Sequence, residues 1–137
     1  MADIRKVGLL TVRDGCVLLC RTRKHRHPLI LPGGKREPGE TSMETLLREI
    51  HEELGPVQLT NPTPIGSYVA AAAGATPKNP RMVEIELFAG DLLGDPQASS
   101  EIGELVWFGP THNWALLAPS LSLVIFPDLQ ARGMLPW

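Results

Sequence analysis

A helix is predicted over residues 42 to 54 from the period of its apolar positions. Spacings of 4, 3 and 4 residues put these positions on one helical face, which suits packing against a core. The members of this face are Met43, Leu47, Ile50 and Leu54. Thr41 and Glu44 have the spacing of a capping box at the start of the helix, and Gly55 followed by Pro56 indicates its end.

Most of the remaining chain shows the alternation and the short apolar runs that are typical of strands. Strands are predicted over residues 4–12, 16–21, 29–31, 65–73, 81–89 and 105–108, with a hairpin turn at Asp14-Gly15. Loops are predicted over residues 22–28, 74–80 and 91–103, and a second helix within 114–132, interrupted or capped near Pro119 and Pro127. Because the strands and helices mix without βαβ alternation, the predicted fold class is α+β.

Composition indicates one globular domain over residues 1–137, with 43% apolar and 20% charged residues. The formal net charge of −2 argues against general nucleic-acid binding. No apolar run approaches the length of a membrane span and the first residues do not open a secretory signal, so a cytoplasmic location is expected. Cys16 and Cys20 are expected to be reduced, because four residues of strand span about 13 Å and a disulfide allows roughly 7 Å.

Three glutamates stand close together near the end of the predicted helix. Glu49 precedes Glu52 by three residues and Glu53 by four, so the three side chains are neighbours on the helix surface. Like charges at this spacing, near the negative end of the helix dipole, destabilise the helix by roughly 0.3–1 kcal/mol per group. A bound divalent cation would reverse this repulsion, so the alternatives are a metal site and a solvated acidic face.

The residues around these glutamates resemble the Nudix box, commonly written G-x5-E-x7-R-E-U-x-E-E-x-G-U, where U is a bulky aliphatic residue. The matching positions are Gly34, Glu40, Arg48, Glu49, Ile50, Glu52, Glu53 and Gly55. Only the last position departs, because Pro56 stands where an aliphatic residue is usual. By this resemblance the chain is identified as a member of the MutT-like Nudix hydrolases. The resemblance implies a mixed β-sheet sandwiched between α-helices, an α/β/α arrangement.

The resemblance also implies hydrolysis of a diphosphate bond in a nucleoside diphosphate-linked substrate, with Mg²⁺ or Mn²⁺ as the cofactor. Such an ion would neutralise the bridging phosphates and lower the pKa of the attacking water. Glu49 and Glu53 are implied as direct metal ligands, and Glu52 as a ligand or as the water-activating base. Arg48 is expected to orient the glutamates through charge-assisted hydrogen bonds, with Glu40 as its partner.

Further candidates lie at the edge of the box or outside it. The carbonyl of Gly34 is a candidate metal ligand, because glycine lets the backbone approach a ligand closely; the alternative is a simple tight turn. Glu101, in the predicted loop before the last strand, is a candidate further ligand or base, the alternative being ordinary surface charge. Arg21, Arg23 and Arg26 belong to a basic run that either binds substrate phosphates or forms a solvated loop.

The expected partner is a small nucleotide, with no nucleic acid and no membrane. The preferred substrate is a (deoxy)nucleoside triphosphate or an oxidised nucleotide, cleaved to a monophosphate and pyrophosphate. Two alternatives stay open: an ADP-ribose or dinucleoside polyphosphate pyrophosphatase, and a non-catalytic regulatory domain that binds a nucleotide. The complete set of three glutamates favours an enzyme, because a pure binder has no reason to retain them together. A homodimer stays open as the assembly.

Overall fold

The computed structural model describes residues 4–24, 28–72 and 75–137. Within these residues the strands are β1 Ile4–Leu10, β2 Val12–Arg13, β3 Cys16–Thr22, β4 Gly33–Lys35, β5 Gln58–Ala71, β6 Met82–Leu93 and β7 Ile102–Phe108. The α-helices are α1 Ser42–Leu54 and α2 Phe126–Ala131, and a 3₁₀ turn Trp114–Leu116 and a π-helical segment Ser120–Ile125 precede α2. No helix among these residues is long and apolar enough to span a bilayer.

The strands form two sheets, of which the first is mixed in direction and the second is antiparallel. The first has the order β4-β1-β6-β5 and the second has the order β2-β3-β7. Strands β1 and β6 are parallel, while every other pairing is antiparallel. Strands and helices are therefore combined without βαβ repetition, which confirms the α+β prediction.

A hydrophobic core lies on each side of the sheets, because successive residues of a strand face opposite directions. Val7 of β1 packs in the core beneath α1, which also contains Ile50 of that helix. Leu10, on the other face of β1, belongs to the core that Phe126 and Leu129 of α2 cover. The sheets are thus enclosed between α1 and the C-terminal helical segment, which is the α/β/α arrangement that the resemblance implied.

Helix α1 has the bounds that its apolar period predicted. The Thr41 hydroxyl accepts a hydrogen bond from the Glu44 amide at 3.1 Å, and the Glu44 carboxylate accepts one from the Thr41 amide at 3.0 Å. At the other end, Gly55 takes a φ of 75°, which glycine adopts without strain. The departure of Pro56 from the box does not disturb this end of the helix.

Some boundaries differ from the predictions for physical reasons. Strand β5 begins at Gln58 rather than near residue 65, because it is an edge strand, in which prolines are tolerated, with two register shifts. Strand β6 extends to Leu93 and β7 begins at Ile102, which shortens the predicted loop over 91–103. The predicted strand 29–31 is reduced to single bridges, at Leu29 and Ile30. The predicted boundary at residues 73 and 74 lies outside the described residues.

The C-terminal segment is helical but interrupted, as its prolines predicted. Pro119 precedes the π-helical segment, and Pro127 lies where this segment changes to the α-helical geometry of α2. Trp114 and Trp137 both pack edge-on against Phe126. This aromatic cluster holds the end of the chain against α2.

Replacing the N-cap should measurably weaken the fold. We expect Thr41→Ala to lower the free energy of unfolding by about 1 kcal/mol, because it removes the side-chain acceptor of the capping box. Thr41→Ser retains the hydroxyl and should stay within a few tenths of a kcal/mol, by the same comparison of N-cap residues. Urea unfolding followed by circular dichroism measures both variants, and equal stabilities would contradict a role for the cap.

Candidate active site

Arg48 lies at the centre of a hydrogen-bonded network of carboxylates. Its Nε donates to Glu40 Oε2 at 2.7 Å and its second terminal nitrogen donates to Glu40 Oε1 at 2.9 Å, which is a bidentate pair. Its other terminal nitrogen donates to Glu49 Oε1 at 2.8 Å. The structure therefore brings Arg48, Glu40 and Glu49 together, with Arg48 placed to orient Glu49.

Glu40 is fully engaged in this network. Besides Arg48, it accepts hydrogen bonds from the Glu37 amide at 2.9 Å and from the Thr45 hydroxyl at 3.0 Å. These donors, Arg48 first among them, lower the pKa of Glu40 to about 2. Glu40 is thus a permanent negative charge that anchors Arg48.

Glu49 lies directly against the backbone of β4. A Cβ atom added to Gly34 would stand 2.3 Å from the Glu49 carboxylate carbon, so only glycine permits this contact. The Glu49 side chain is 15% exposed, and burial raises its pKa, opposed by Arg48 and reinforced by the charges of Glu52 and Glu101. Gly34 therefore determines where the Glu49 carboxylate can lie.

Glu53 is the most strongly perturbed carboxyl group of the cluster. Its Oε1 accepts a hydrogen bond from the Gly33 amide at 2.9 Å. Burial raises its pKa to about 8, and the charges of Glu49, Glu101 and Glu52 contribute to this rise against the Gly33 hydrogen bond. Burial and the neighbouring carboxylates therefore favour the protonated, uncharged form of Glu53 in the metal-free protein.

Glu52 and Glu101 lie at the more exposed side of the cluster. The Glu52 side chain is 48% exposed, and one of its oxygens lies 3.6 Å from Arg48. Glu101 is exposed, and its charge acts on both Glu49 and Glu53. The loop before β7 carries Glu101 to this position, because the amides of Gln97 and Ser99 donate to the last carbonyls of α1 at 2.9 and 3.0 Å.

The donor set fits a hard divalent cation, although its oxygens are not gathered in advance. Among the residues that the structure describes, no three His, Cys, Asp or Glu side chains already surround one point. Arg48 holds one oxygen of Glu49 and the Gly33 amide holds one of Glu53, which leaves each carboxylate a second oxygen. Buried carboxylates that raise each other's pKa are stabilised by a divalent cation with oxygen ligands, such as magnesium or manganese.

The predicted phosphate-binding arginines have other partners in the structure. Arg21 is ion-paired with Glu104, its neighbour across β3 and β7. Arg23 donates from its side chain to the Ser100 carbonyl at 2.9 Å, which holds the loop before β7. Arg26 lies outside the described residues. A phosphate-binding role for this run stays a prediction. Of the two described arginines, Arg23 positions the loop that carries Glu101, whereas Arg21 pairs within the second sheet.

Sequence reasoning missed a lysine beside the carboxylates. Lys6 lines a pocket with apolar walls between the first sheet and the C-terminal helical segment, and the rim of this pocket includes Gly33 and Gly34. Burial and the charge of Lys35 lower the pKa of Lys6, opposed by Glu53 and Glu49. The signal was present in β1, where Lys6 interrupts an otherwise apolar face formed with Ile4, Gly8 and Leu10.

A model of the NUDIX domain matches residues 4–125, so the chain belongs to the Nudix family. Nudix hydrolases are pyrophosphohydrolases of phosphorus-containing anhydrides and generally need divalent metal ions. This assignment confirms the resemblance that the box indicated.

The chain is similar over short segments to the curated proteins Nudix hydrolase 3 and NudI. It is 46% identical over 54 residues to Nudix hydrolase 3 of Caenorhabditis elegans, which is 36% of this chain and 22% of that protein. It is 48% identical over 50 residues to nucleoside triphosphatase NudI of Salmonella arizonae, which is 34% of this chain and 36% of that protein. The matches thus span about a fifth to a third of these relatives' lengths.

Solved structures match over nearly the whole chain. A NUDIX hydrolase from Nitrosomonas europaea superposes with a TM-score of 0.75 at 23% identity, covering 97% of this chain and 92% of that one. The ORF135 protein of Escherichia coli superposes with a TM-score of 0.70 at 29% identity, covering 96% and 94%. These likenesses confirm the expected Nudix fold.

The metal-free protein should become less stable as pH rises from about 4.5, the ordinary pKa of a glutamate, to about 8, the pKa of Glu53 in the folded protein. Folded Glu53 holds its proton more tightly than the unfolded chain does, so its stabilising contribution, complete below the unfolded pKa, is lost as pH rises through the folded pKa. Thermal unfolding in EDTA across this range measures the slope. Glu53→Gln should reduce the slope, whereas Glu44→Gln, at the other end of α1, should retain it; equal slopes in both variants would contradict the assignment.

Adding one methyl group at Gly34 should displace Glu49 and weaken metal binding. We expect Gly34→Ala to reduce manganese affinity by at least about 10-fold, the effect typical of disturbing the residues that orient metal ligands. Gly8→Ala is the matched control, because its nearest contacts lie at an ordinary 3.4 Å. Manganese titration followed by electron paramagnetic resonance compares the variants, and unchanged affinity in Gly34→Ala would exclude Glu49 as a ligand.

Proposed function

We propose that this protein is a metal-dependent pyrophosphohydrolase that cleaves a nucleoside triphosphate, or an oxidised form of one, to a monophosphate and pyrophosphate. The observation that carries this proposal is the pair of desolvated carboxylates, Glu49 and Glu53, placed against the two glycines of β4. Burial and mutual repulsion disfavour the charged forms of these two carboxylates unless a cation joins them. Gly33 and Gly34 also line a pocket with apolar walls, which would receive part of the nucleotide.

The carboxylates have different roles in this proposal. Glu49 and Glu53 are the direct ligands of magnesium or manganese, and Glu101 and the Gly34 carbonyl are the candidates to complete the set. A bound divalent ion supplies charge neutralisation at the substrate phosphates and lowers the pKa of a coordinated water. Glu52 keeps an exposed carboxylate that either joins the ligands or accepts the proton of the attacking water.

Arg48 and Glu40 support the reaction indirectly. The bidentate pair with Glu40 fixes the Arg48 guanidinium, which in turn holds one oxygen of Glu49. Glu49 is thereby kept in one orientation with its second oxygen directed to other partners. Positioning of this kind contributes much of the catalysis in phosphoryl transfer, where protein groups take little covalent part.

The triphosphate substrate is supported by similarity to the NudI relatives. The NudI relatives are named nucleoside triphosphatases, and they share 48% identity over 50 residues with this chain. The complete carboxylate cluster argues against a domain that only binds nucleotides. We therefore place the triphosphates ahead of ADP-ribose and the dinucleoside polyphosphates as substrates.

Turnover in oxygen-18 water with magnesium tests this proposal. The panel of substrates contains nucleoside triphosphates, oxidised triphosphates, ADP-ribose and dinucleoside polyphosphates. We expect hydrolysis of a triphosphate to a nucleoside monophosphate and pyrophosphate, with the label in one of these two products. AMP and ribose 5-phosphate would identify ADP-ribose as the substrate instead. Tight binding of a nucleotide with no labelled product would indicate a regulatory domain, and label in orthophosphate alone would indicate a terminal phosphatase.

The role of Glu53 is tested by an isosteric pair of variants on one helix. Glu53→Gln should lower kcat by at least about 100-fold, because it removes a charge from the reacting centre. Glu44→Gln removes the same charge from the first turn of α1, where glutamine also completes a capping box, and should retain activity. Magnesium should raise the melting temperature of Glu44→Gln but not of Glu53→Gln. Full activity in Glu53→Gln would contradict its assignment as a ligand.

A further inference from the structure

Lys6 carries an ammonium group that has no direct side-chain partner among the described residues, although the charges of Glu53 and Glu49 act on it. Neither a hydrogen bond nor an ion pair of its side chain is found in the part of the chain that the structure describes. No buried side-chain nitrogen or oxygen in that part lacks a partner, so the Lys6 ammonium is not sealed inside protein. It therefore reaches the open space of the pocket that it lines.

A second lysine lies opposite Lys6 on the neighbouring strand. The antiparallel register of β1 and β4 pairs Lys6 with Lys35. Side chains of directly opposed residues share one face of the sheet, with Cβ atoms about 4.5–5.5 Å apart, and like charges at this distance destabilise the pair. Glu49 and Glu53 offset part of this repulsion, but neither lysine is ion-paired with a carboxylate in the described part of the chain, so an anion would stabilise the pair further.

The surroundings of this lysine pair indicate the chemistry of that anion. Val7 and Gly34, the next pair in the register, face α1 and the Glu49 carboxylate, so Lys6 faces the opposite side. The walls of the pocket on that side are apolar and include Ile4, Leu31, Ile85, Pro119 and Leu121. A ligand that extends around the edge of β4 would therefore place an uncharged group in the pocket and an anionic group at the two lysines. The bond to be cleaved would follow at the carboxylates.

We propose that Lys6 is a specificity-determining residue that binds, together with Lys35, the phosphate that stays on the nucleoside after cleavage. The apolar pocket receives the uncharged part of the same nucleotide. This inference rests on the proposed function for the identity of the ligand. Lys6 would thus discriminate between a nucleoside monophosphate and the corresponding unphosphorylated nucleoside.

Three variants separate this role from general electrostatics. Lys6→Met removes the charge and keeps an apolar stem of similar length, whereas Lys6→Arg retains the charge. Arg5→Gln is the matched control, because it removes one positive charge from the adjacent residue of β1, which faces the other side and pairs with Glu84 at 3.7 Å. Lys6→Met should not lower the melting temperature, since it relieves the contact between like charges.

The ligands for calorimetry are AMP, CMP, GMP and UMP and their four nucleosides, in EDTA without metal. For the monophosphate that binds best, Lys6→Met should raise Kd by at least about 10-fold, as expected for loss of a charge-assisted hydrogen bond. Arg5→Gln should change Kd no more than about twofold at moderate salt, because exposed charges are screened. Lys6→Arg should stay close to the wild type, and nucleoside affinity should be unchanged in every variant.

Several results would overturn the inference. The monophosphate could lose the same affinity in Lys6→Met as in Arg5→Gln, or lose none in Lys6→Met. The nucleoside could lose as much affinity as the monophosphate in Lys6→Met, or the wild type could bind no monophosphate. A measurement on the unaltered protein makes the test independent of how the variants fold: the monophosphate should protect Lys6 from acetylation by acetic anhydride, read by mass spectrometry, and leave exposed Lys78 unprotected. Equal labelling of Lys6 with and without ligand would also exclude the contact.

The inference and the proposed function fail in different ways. Lys6-dependent binding of monophosphates by a protein that hydrolyses no nucleotide would retain the lysine site and reject the enzyme. Hydrolysis of a triphosphate with an unchanged KM in Lys6→Met would retain the enzyme and reject the lysine site. For both to hold, Lys6→Met should raise KM by a factor similar to its loss of monophosphate affinity, with a smaller effect on kcat.

Discussion

The packing of the α1 carboxylates against the two glycines of β4 is the contact on which the rest of the site depends. Glu53 accepts the Gly33 amide hydrogen, and Glu49 lies against the Cα of Gly34. These two contacts join the end of α1 to the edge of the first sheet. They also remove both carboxylates partly from water, which makes their mutual repulsion stronger than it would be on an exposed helix face.

Only part of that repulsion is compensated within the protein. Arg48 forms its bidentate pair with Glu40, so it reaches Glu49 through its one remaining terminal nitrogen. Lys6 adds a charge interaction with Glu49 and Glu53. Glu53 gains a single amide hydrogen bond, and its pKa stays raised. The Arg48–Glu40 pair thus fixes the orientation of Glu49, but the negative charge of the carboxylates is not fully neutralised. A fold selected for stability alone would not retain this combination, whereas a divalent cation resolves it.

The edge of β4 connects the parts of the molecule that a nucleotide would contact. One side of this strand faces α1 and its carboxylates, and the other faces a pocket closed by the C-terminal helical segment. The loop before β7 completes the arrangement, since its amides bind the last carbonyls of α1 and bring Glu101 to the cluster. Three segments far apart in sequence therefore meet around a strand of three residues, Gly33–Lys35.

The sequence by itself determined the features that depend on residues near one another. The bounds of α1, its capping box and the common face of Glu49, Glu52 and Glu53 follow from spacings of three and four residues, because a helix repeats locally. The Arg48 pairing with Glu40 was also within reach, since the box carries both residues. Glu101 was identified only as a candidate, because nothing local shows that its loop docks on the end of α1.

Tertiary structure alone decided the features that depend on strand register. The opposition of Lys6 and Lys35 exists because β1 and β4 pair antiparallel, and the pairing of Arg21 with Glu104 exists because β3 pairs with β7. The early start of β5 likewise depends on its position at a sheet edge, where prolines cost no ladder hydrogen bonds. Alternation along a strand shows which residues share a face, but the partner strand and its register are set by contacts across the whole fold.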